Sequence, residues 1–230
     1  ESQKFSDLKI IKNKFISSKD DNDIKNIIND ILEDLKNIEI SCKNENSLIF
    51  FGSSCSGKTC MFQRILYNKF SNNMISTIGF DLSSGKKIEL KTGKEIKLRF
   101  CDNTDKYRFR DISLVLLEKK QINYAILVFD ITNRNSFNEL EDFHNAILSQ
   151  KEIKTIYLIA NKIDLIDERE ISKEEAKEFA KKHELKYYEV SCKENIGIKD
   201  FLIDLINDIT KGKSYYNKLE IKDLSQNKKK

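Results

Sequence analysis

Eight consecutive residues, Gly52-Ser53-Ser54-Cys55-Ser56-Gly57-Lys58-Thr59, have the spacing GxxxxGK[ST]. Residues of these types in this order can hold phosphate. Backbone N–H groups converge on the anion where a helix begins, the Lys58 ammonium meets the β- and γ-phosphates, and the Thr59 hydroxyl can ligate Mg²⁺. The blander alternative is a glycine turn opening an ordinary helix, and the strand and helix patterns on either side argue against it. About 100 residues later stands Asn161-Lys162-Ile163-Asp164. A carboxylate at its end can accept from the guanine N1–H and exocyclic amine together, a pattern adenine does not offer. Alone, NKxD says little in a chain rich in Lys and Asn, where a solvated turn would explain it. Ser191-Cys192-Lys193 after a further apolar run gives it a companion.

These residues need a frame. Leu48-Ile49-Phe50-Phe51 is a short apolar run ending at Gly52, and helical spacing follows from Lys58 to about Tyr67. Ile88 to Leu90 and Ile96 to Phe100 flank a Thr92-Gly93 turn and predict a hairpin. Tyr124 to Phe129 and Ile156 to Ala160 are near-continuous apolar runs, the pattern of strands buried on both faces of a parallel sheet. One helix carrying Phe137, Leu140, Phe143 and Ile147 is expected between them. Ser172 and Glu175 have capping-box spacing ahead of Ala176, Phe179 and Ala180. Tyr187 to Val190 then predicts the last strand, and Ile198, Phe201, Leu202, Leu205 and Ile209 predict a closing amphipathic helix. The alternation is that of a doubly wound α/β domain, which takes its ligand at the carboxyl ends of the strands.

The chain has 230 residues, 39% hydrophobic and 34% charged, with no Pro and seven Gly. That composition excludes collagen-like and Pro-rich chains, and no apolar run approaches the roughly 18 residues of a membrane-spanning helix. The net charge of +4 is concentrated in residues 211–230, where seven Lys face Glu220 and Asp223, so the remainder is close to neutral. No basic stripe for a nucleic acid is visible, and the lysine tail reads as solvated or membrane-directed. Five Cys without CxxC spacing or an apolar leader fit a reducing cytosol. Residues 1–46 are set apart by composition. Ile24, Ile27, Ile28, Ile31, Leu35 and Ile38 follow Asp20-Asp21-Asn22-Asp23 at helical spacing and predict an amphipathic helix that packs on the domain behind it or binds a partner. The expected division is an extension over 1–46, a nucleotide-binding domain over 47–210 and a basic tail over 211–230. His144 and His183 lie on helical segments and read as surface residues. Cys55 and Cys60 flank Lys58, where phosphate could alter their acidity, although packing roles explain them as well.

Taken together, the three motifs resemble those of the Ras-superfamily small GTPases, and most of all the Rab family, over about residues 47–210. Thr77-Ile78-Gly79-Phe80-Asp81 is similar to the Rab switch I signature TIGxD, and Arg108-Phe109-Arg110 to the segment after switch II. There is no inserted helix of the Rho type between Asp164 and Ser191. The resemblance implies a three-layer P-loop domain whose six-stranded sheet is mostly parallel with one antiparallel edge strand. It implies GTP and GDP as ligands with Mg²⁺. By position, Gly52 to Cys60 would surround the phosphates and Phe70 would stack on the guanine ring. Thr77 would meet Mg²⁺ and the γ-phosphate, and Asp102 would hold the metal through water. Asn161, Lys162 and Asp164 would hold the base, with the Cys192 N–H at the guanine oxygen and Ser191 and Lys193 in support.

One segment departs from the family. Where its switch II begins DTAGQE, this chain reads Asp102-Asn103-Thr104-Asp105-Lys106-Tyr107. Asp105 replaces the glycine whose N–H meets the γ-phosphate; at roughly 4 Å and an effective dielectric of about 20, its charge would oppose a phosphate charge by about 4 kcal/mol. Asp105 could swing out, could pair with Lys106 or Arg108, or the switch could fail to close. Lys106 replaces the glutamine that orients attacking water, and an ammonium donates but cannot accept a hydrogen bond. Slow hydrolysis is therefore expected, unless Lys106 places positive charge on the γ-phosphate. Ser54, where bulk slows hydrolysis in Ras-like proteins, is ordinary for Rabs.

The resemblance also implies a monomer that exchanges effectors, exchange factors and activating proteins through residues 70–80 and 102–116, in vesicle and membrane traffic. Localisation would be cytoplasmic and peripheral on intracellular membranes. The tail ends Asn227-Lys228-Lys229-Lys230 without the terminal cysteines common in Rabs, which leaves a lysine tail or a lipid site outside this sequence as the means. A non-hydrolysing or GDP-only protein-binding scaffold remains the alternative. Intact Thr59, Thr77 and Asp102 oppose it, because a scaffold does not need a full Mg²⁺ shell.

Overall fold

The computed structural model describes residues 45–71, 80–82, 86–89, 95–103, 122–148 and 153–210. The chain divides into Glu1–Lys43 and Asn44–Lys230, and all of the described residues lie in the second unit. The predicted N-terminal helix, the Thr92-Gly93 turn and the basic tail fall outside them.

Strand β1, Glu45–Phe51, is buried on both sides, because successive side chains of a strand point to opposite faces. Leu48 and Phe50 join a cluster with Phe100, Ile126, Val128 and Tyr157, and the Phe50 and Phe100 rings stack with centroids 6.0 Å apart. Phe51 points the other way, to Phe143 at 6.3 Å. The first face is covered by helix α1, Lys58–Tyr67, through Met61, Phe62, Ile65 and Leu66, and by a C-terminal helix at Ile198–Ile209 through Ile198, Phe201, Leu202, Leu205 and Ile206. Each of these large apolar side chains contributes about 1.5–3 kcal/mol by leaving water.

The remaining strands are β2 (Phe80–Leu82), β3 (Lys86–Glu89), β4 (Glu95–Asn103), β5 (Ile122–Asp130), β6 (Thr155–Asn161) and β7 (Lys186–Glu189). Between β5 and β6 lie α2 (Arg134–Asn138) and α3 (Leu140–Leu148); α4 is Lys173–Lys182, and the C-terminal helix is α5. Phe137 packs edge-on against Phe129 at 5.1 Å and reaches Phe179 at 5.4 Å, so α2 and α4 meet on the second face. The result is three layers.

The strand order is β2-β4-β1-β5-β6-β7, with β3 also on β4. β4, β1, β5, β6 and β7 pair in parallel, and β2 and β3 pair antiparallel with β4. The expected single antiparallel edge is thus present in two pieces. Leu82 is opposite Cys101 in the first piece and Lys86 opposite Leu98 in the second. After β1 the chain passes to the α1 face, and after β5 to the α2–α3 face. The carboxyl ends of β1 and β5 therefore flank a crevice of the kind in which open α/β sheets bind ligands.

Three local expectations change. The helix expected through Phe137 and Ile147 breaks at Glu139, whose N–H caps α2 on Asn135 O at 3.1 Å while its own carbonyl accepts from Phe143 N–H at 3.2 Å. The capping box at α4 is half made. Ser172 Oγ accepts from Glu175 N–H at 3.1 Å, but the Glu175 carboxylate is drawn away to Arg134. His144 and His183, read as surface residues, are covered instead: His144 is buried at 4% exposed, His183 is partly buried, and the two rings meet edge to face at 4.5 Å. Helical periodicity places each residue on its own helix but does not say which neighbouring helix will cover it.

Candidate functional site

The phosphate loop leaves β1 at Gly52 and enters α1 at Lys58. Gly52 has φ +141, and a Cβ there would lie 2.0 Å from Val128 O, so only glycine lets the loop pass against β5. Gly57 has φ +98, and its missing Cβ leaves the space that Asn161 Nδ2 approaches to 2.0 Å. As the N-cap of α1, Gly57 makes no side-chain cap, and the start of a helix is a favourable place for an anion. Cys55 takes φ 62, a left-handed conformation that costs an L residue roughly 1–2 kcal/mol. Ser54 and Cys55 are exposed, while Ser53 Oγ donates to Glu139 Oε2 at 2.6 Å.

Lys58 is 6% exposed, and its ammonium donates to Gly52 O at 2.7 Å and Ser53 O at 2.8 Å. It folds back over the loop and holds positive charge inside the curve of the backbone. Thr59, the second residue of α1, and Asp102, at the carboxyl end of β4 and 1% exposed, are both oxygen donors suited to a hard divalent cation. Ser56 is fully buried, and its Oγ has no hydrogen-bond partner among the described residues. Cys60 is partly buried against the core. Burial raises its thiol pKa above the usual value, despite the nearby Lys162 charge, so it is a packing residue and not an activated thiolate.

The base motif is tied directly to this loop. Asn161 ends β6 and is 2% exposed; its Nδ2 donates to Ser56 O at 2.9 Å, and its Oδ1 accepts from Cys192 N–H at 3.2 Å. One side chain thus joins segments 105 and 31 residues away. The Cys192 N–H, expected at a guanine oxygen, is here engaged by Asn161. Lys162 has φ 68, and its ammonium lies 2.5 Å from Asp130 Oδ2. Asp130, 5% exposed, is fixed in turn by the Thr132 N–H at 2.9 Å and hydroxyl at 2.8 Å on Oδ1. Asp164 accepts from Ser191 Oγ at 2.5 Å, and Lys193 Nζ lies 4.0 Å from its other oxygen. Ser191 and Cys192 are buried, and burial pushes the Cys192 thiol up to about 12, so it remains neutral.

Phe70 is half-buried against the core cluster, with the Arg64 guanidinium 5.9 Å from its ring centre. Thr77, Asp105 and Lys106 lie outside the described residues, as do most of the segments expected to meet effectors. Three residues that no motif indicated also belong to the constellation: Arg64, Asp130 and Glu139. Asp130-Ile131-Thr132 has the spacing of an Asx turn and could have been found. Arg64 gave no signal beyond a cation in the last turn of a helix.

Comparison with known proteins agrees with this geometry. The Ras family model matches residues 47–211. The chain is 34% identical over 163 residues to Ras-related protein Rab-8A of Rattus norvegicus, covering 70% of this chain and 77% of that protein. Against Ras-related protein Rab-13 of Bos taurus it is 31% identical over 163 residues, covering 70% and 78%. A phosphate loop, an NKxD turn and a third loop locked to both by Asn161, on this sheet and with these relatives, show that the chain belongs to the Ras family, as a Rab-like GTP-binding member.

Proposed function

We propose that this chain is a Rab-like guanine-nucleotide switch that binds GTP and GDP with Mg²⁺, hydrolyses GTP slowly by itself, and acts in vesicle and membrane traffic. The observation that carries the reading is the double hydrogen bond of Asn161, which sets the phosphate loop and the base loops at a fixed separation. Gly52 to Cys60 surround the phosphates, with Lys58 supplying the charge. Asp164, oriented by Ser191 Oγ, selects guanine, and Phe70 stacks on its ring. Thr59, Asp102 and Thr77 would hold Mg²⁺, which neutralises charge on the outer phosphates when bound.

Hydrolysis is slow because Lys106 cannot orient water as a glutamine does, and because Asp105 opposes charge at the γ-phosphate. Residues 47–210 form the switch, and effectors, exchange factors and activating proteins read 70–80 and 102–116. Membrane association is peripheral; among the described residues no helix is long and apolar enough to cross a membrane.

A single-turnover assay tests this: the protein is loaded with GTP and Mg²⁺, and bound GTP and GDP are followed for hours. The reading expects GTP to load and persist. Loading of GDP but not GTP would replace it with the scaffold alternative, and failure to load either would overturn it.

A further inference from the structure

We propose that Arg64 is a positioning residue for the guanine site, setting both the Asp164 carboxylate and the Phe70 ring from behind. This rests on the guanine reading above. Arg64 stands in the last turn of α1, six residues beyond the phosphate-binding Lys58. Its guanidinium donates through Nε to Cys192 O at 2.8 Å and through Nη2 to Lys193 O at 2.9 Å, across 128 and 129 residues of sequence. Nη1 donates to Asn68 O at 3.2 Å, and the Asn68 N–H closes the helix on Arg64 O at 3.0 Å. The fork is thus fixed on its own helix before it reaches the loop.

The consequence for the base follows from peptide planarity. A carbonyl and the next N–H lie in one plane and point in opposite directions. With the Lys193 carbonyl held by Arg64, the Glu194 N–H points away from it, and that N–H donates to Ser191 Oγ at 3.0 Å. The same Ser191 Oγ donates to Asp164 Oδ1 at 2.5 Å. A continuous route therefore runs from Arg64 through one rigid peptide and one buried hydroxyl to the carboxylate that selects guanine. The guanidinium also lies over Phe70, within the distance at which a cation and an aromatic face attract. Two parts of the base site share one anchor.

Base-selective release tests the proposal. Dissociation of fluorescently labelled GDP and of labelled inosine diphosphate is measured for the wild-type chain, Arg64→Ala, Arg64→Gln and Arg64→Lys. Hypoxanthine lacks the exocyclic amine and so loses one hydrogen bond to Asp164. Arg64→Ala and Arg64→Gln should release GDP roughly ten-fold faster, as expected for the loss of charge-assisted hydrogen bonds. They should accelerate inosine diphosphate less, so that the ratio of the two rates shrinks. Arg64→Lys should fall between, because an ammonium presents no fork to two carbonyls. Should Arg64→Ala not fold, Arg64→Gln decides.

Unchanged GDP release, or equal acceleration of both nucleotides, would overturn the proposal and leave Arg64 a merely structural residue. If the wild-type chain itself does not distinguish GDP from inosine diphosphate, the guanine reading fails and this proposal with it. If it does and the variants match it, only the role of Arg64 fails.

Discussion

The grip on the nucleotide and the segment that would sense its γ-phosphate begin on adjacent strands, β1 and β4, yet they differ sharply in kind. The grip is held by long-range bonds. Asn161 joins Ser56 to Cys192, Arg64 holds the same base loop, and Lys162 is locked onto a buried Asp130. Beyond Asp102, the sequence Asn103-Thr104-Asp105-Lys106 keeps none of the family residues that would meet the γ-phosphate or its attacking water. On the proposed reading, the difference teaches that holding guanine nucleotide and turning it over rest on separate parts of this chain. The first can be complete where the second is altered.

That separation can be broken at its strongest point first. Asp164→Ala removes both of the hydrogen bonds proposed to guanine, and Lys58→Ala removes the ammonium from the phosphate loop. Each charged hydrogen bond contributes about 1.5–3 kcal/mol, so either variant should weaken GDP binding by roughly a hundred-fold or more in an equilibrium titration. Wild-type affinity in either would remove the assignment of the grip. Asn161→Ala should come next. It leaves two buried groups without partners, each worth about 1–3 kcal/mol, and should lower both the melting temperature and GDP affinity. A fall in stability alone would mean that the two loops keep their separation without Asn161.

The second half of the comparison is sharpened by Asp105→Gly with Lys106→Gln. GTP turnover should rise several-fold while GDP affinity stays within about two-fold, the pattern of an interaction made only in the transition state. An equal change in both would join the two regions again.

The smallest effect belongs to neither region. Burial, the neighbouring His183 and Lys182 hold His144 below its ordinary value of 6.5, against the opposing pull of Glu141. His183 Nε2 is 3.0 Å from Glu141 Oε2, and Phe179 packs on the His183 ring. The unfolded chain therefore binds the proton more readily, and stability should be full above about pH 6.5 and decline below it. A melting curve at pH 7.5 and at pH 5.5 reads this, and His144→Phe should flatten the difference while nucleotide affinity at neutral pH is unchanged.

The framework of the site was legible because its signals are local. GxxxxGK[ST] between an apolar run and helical spacing located both Gly52 and the start of α1, and the unbroken apolar runs of β5 and β6 marked strands buried on both faces. What escaped was tertiary. Asn161 was legible as part of a base motif but not as a bracket between loops, since it bonds to backbone atoms that no residue type encodes. Arg64 escaped for the same reason, its targets being carbonyls 128 and 129 residues away. The break at Glu139 and the burial of His144 depend on which helices meet on the second face, and periodicity within one helix is silent on that.

A competition titration tests the central claim most directly: protein carrying fluorescently labelled GDP is titrated with GDP, GTP, ADP and ATP in Mg²⁺. The account predicts displacement by GDP and GTP at concentrations at least roughly a hundred-fold below those needed of ADP and ATP, because adenine offers no donor pair to Asp164. Displacement by adenine and guanine nucleotides alike would contradict it, and would reduce the locked loops to a phosphate site without a base.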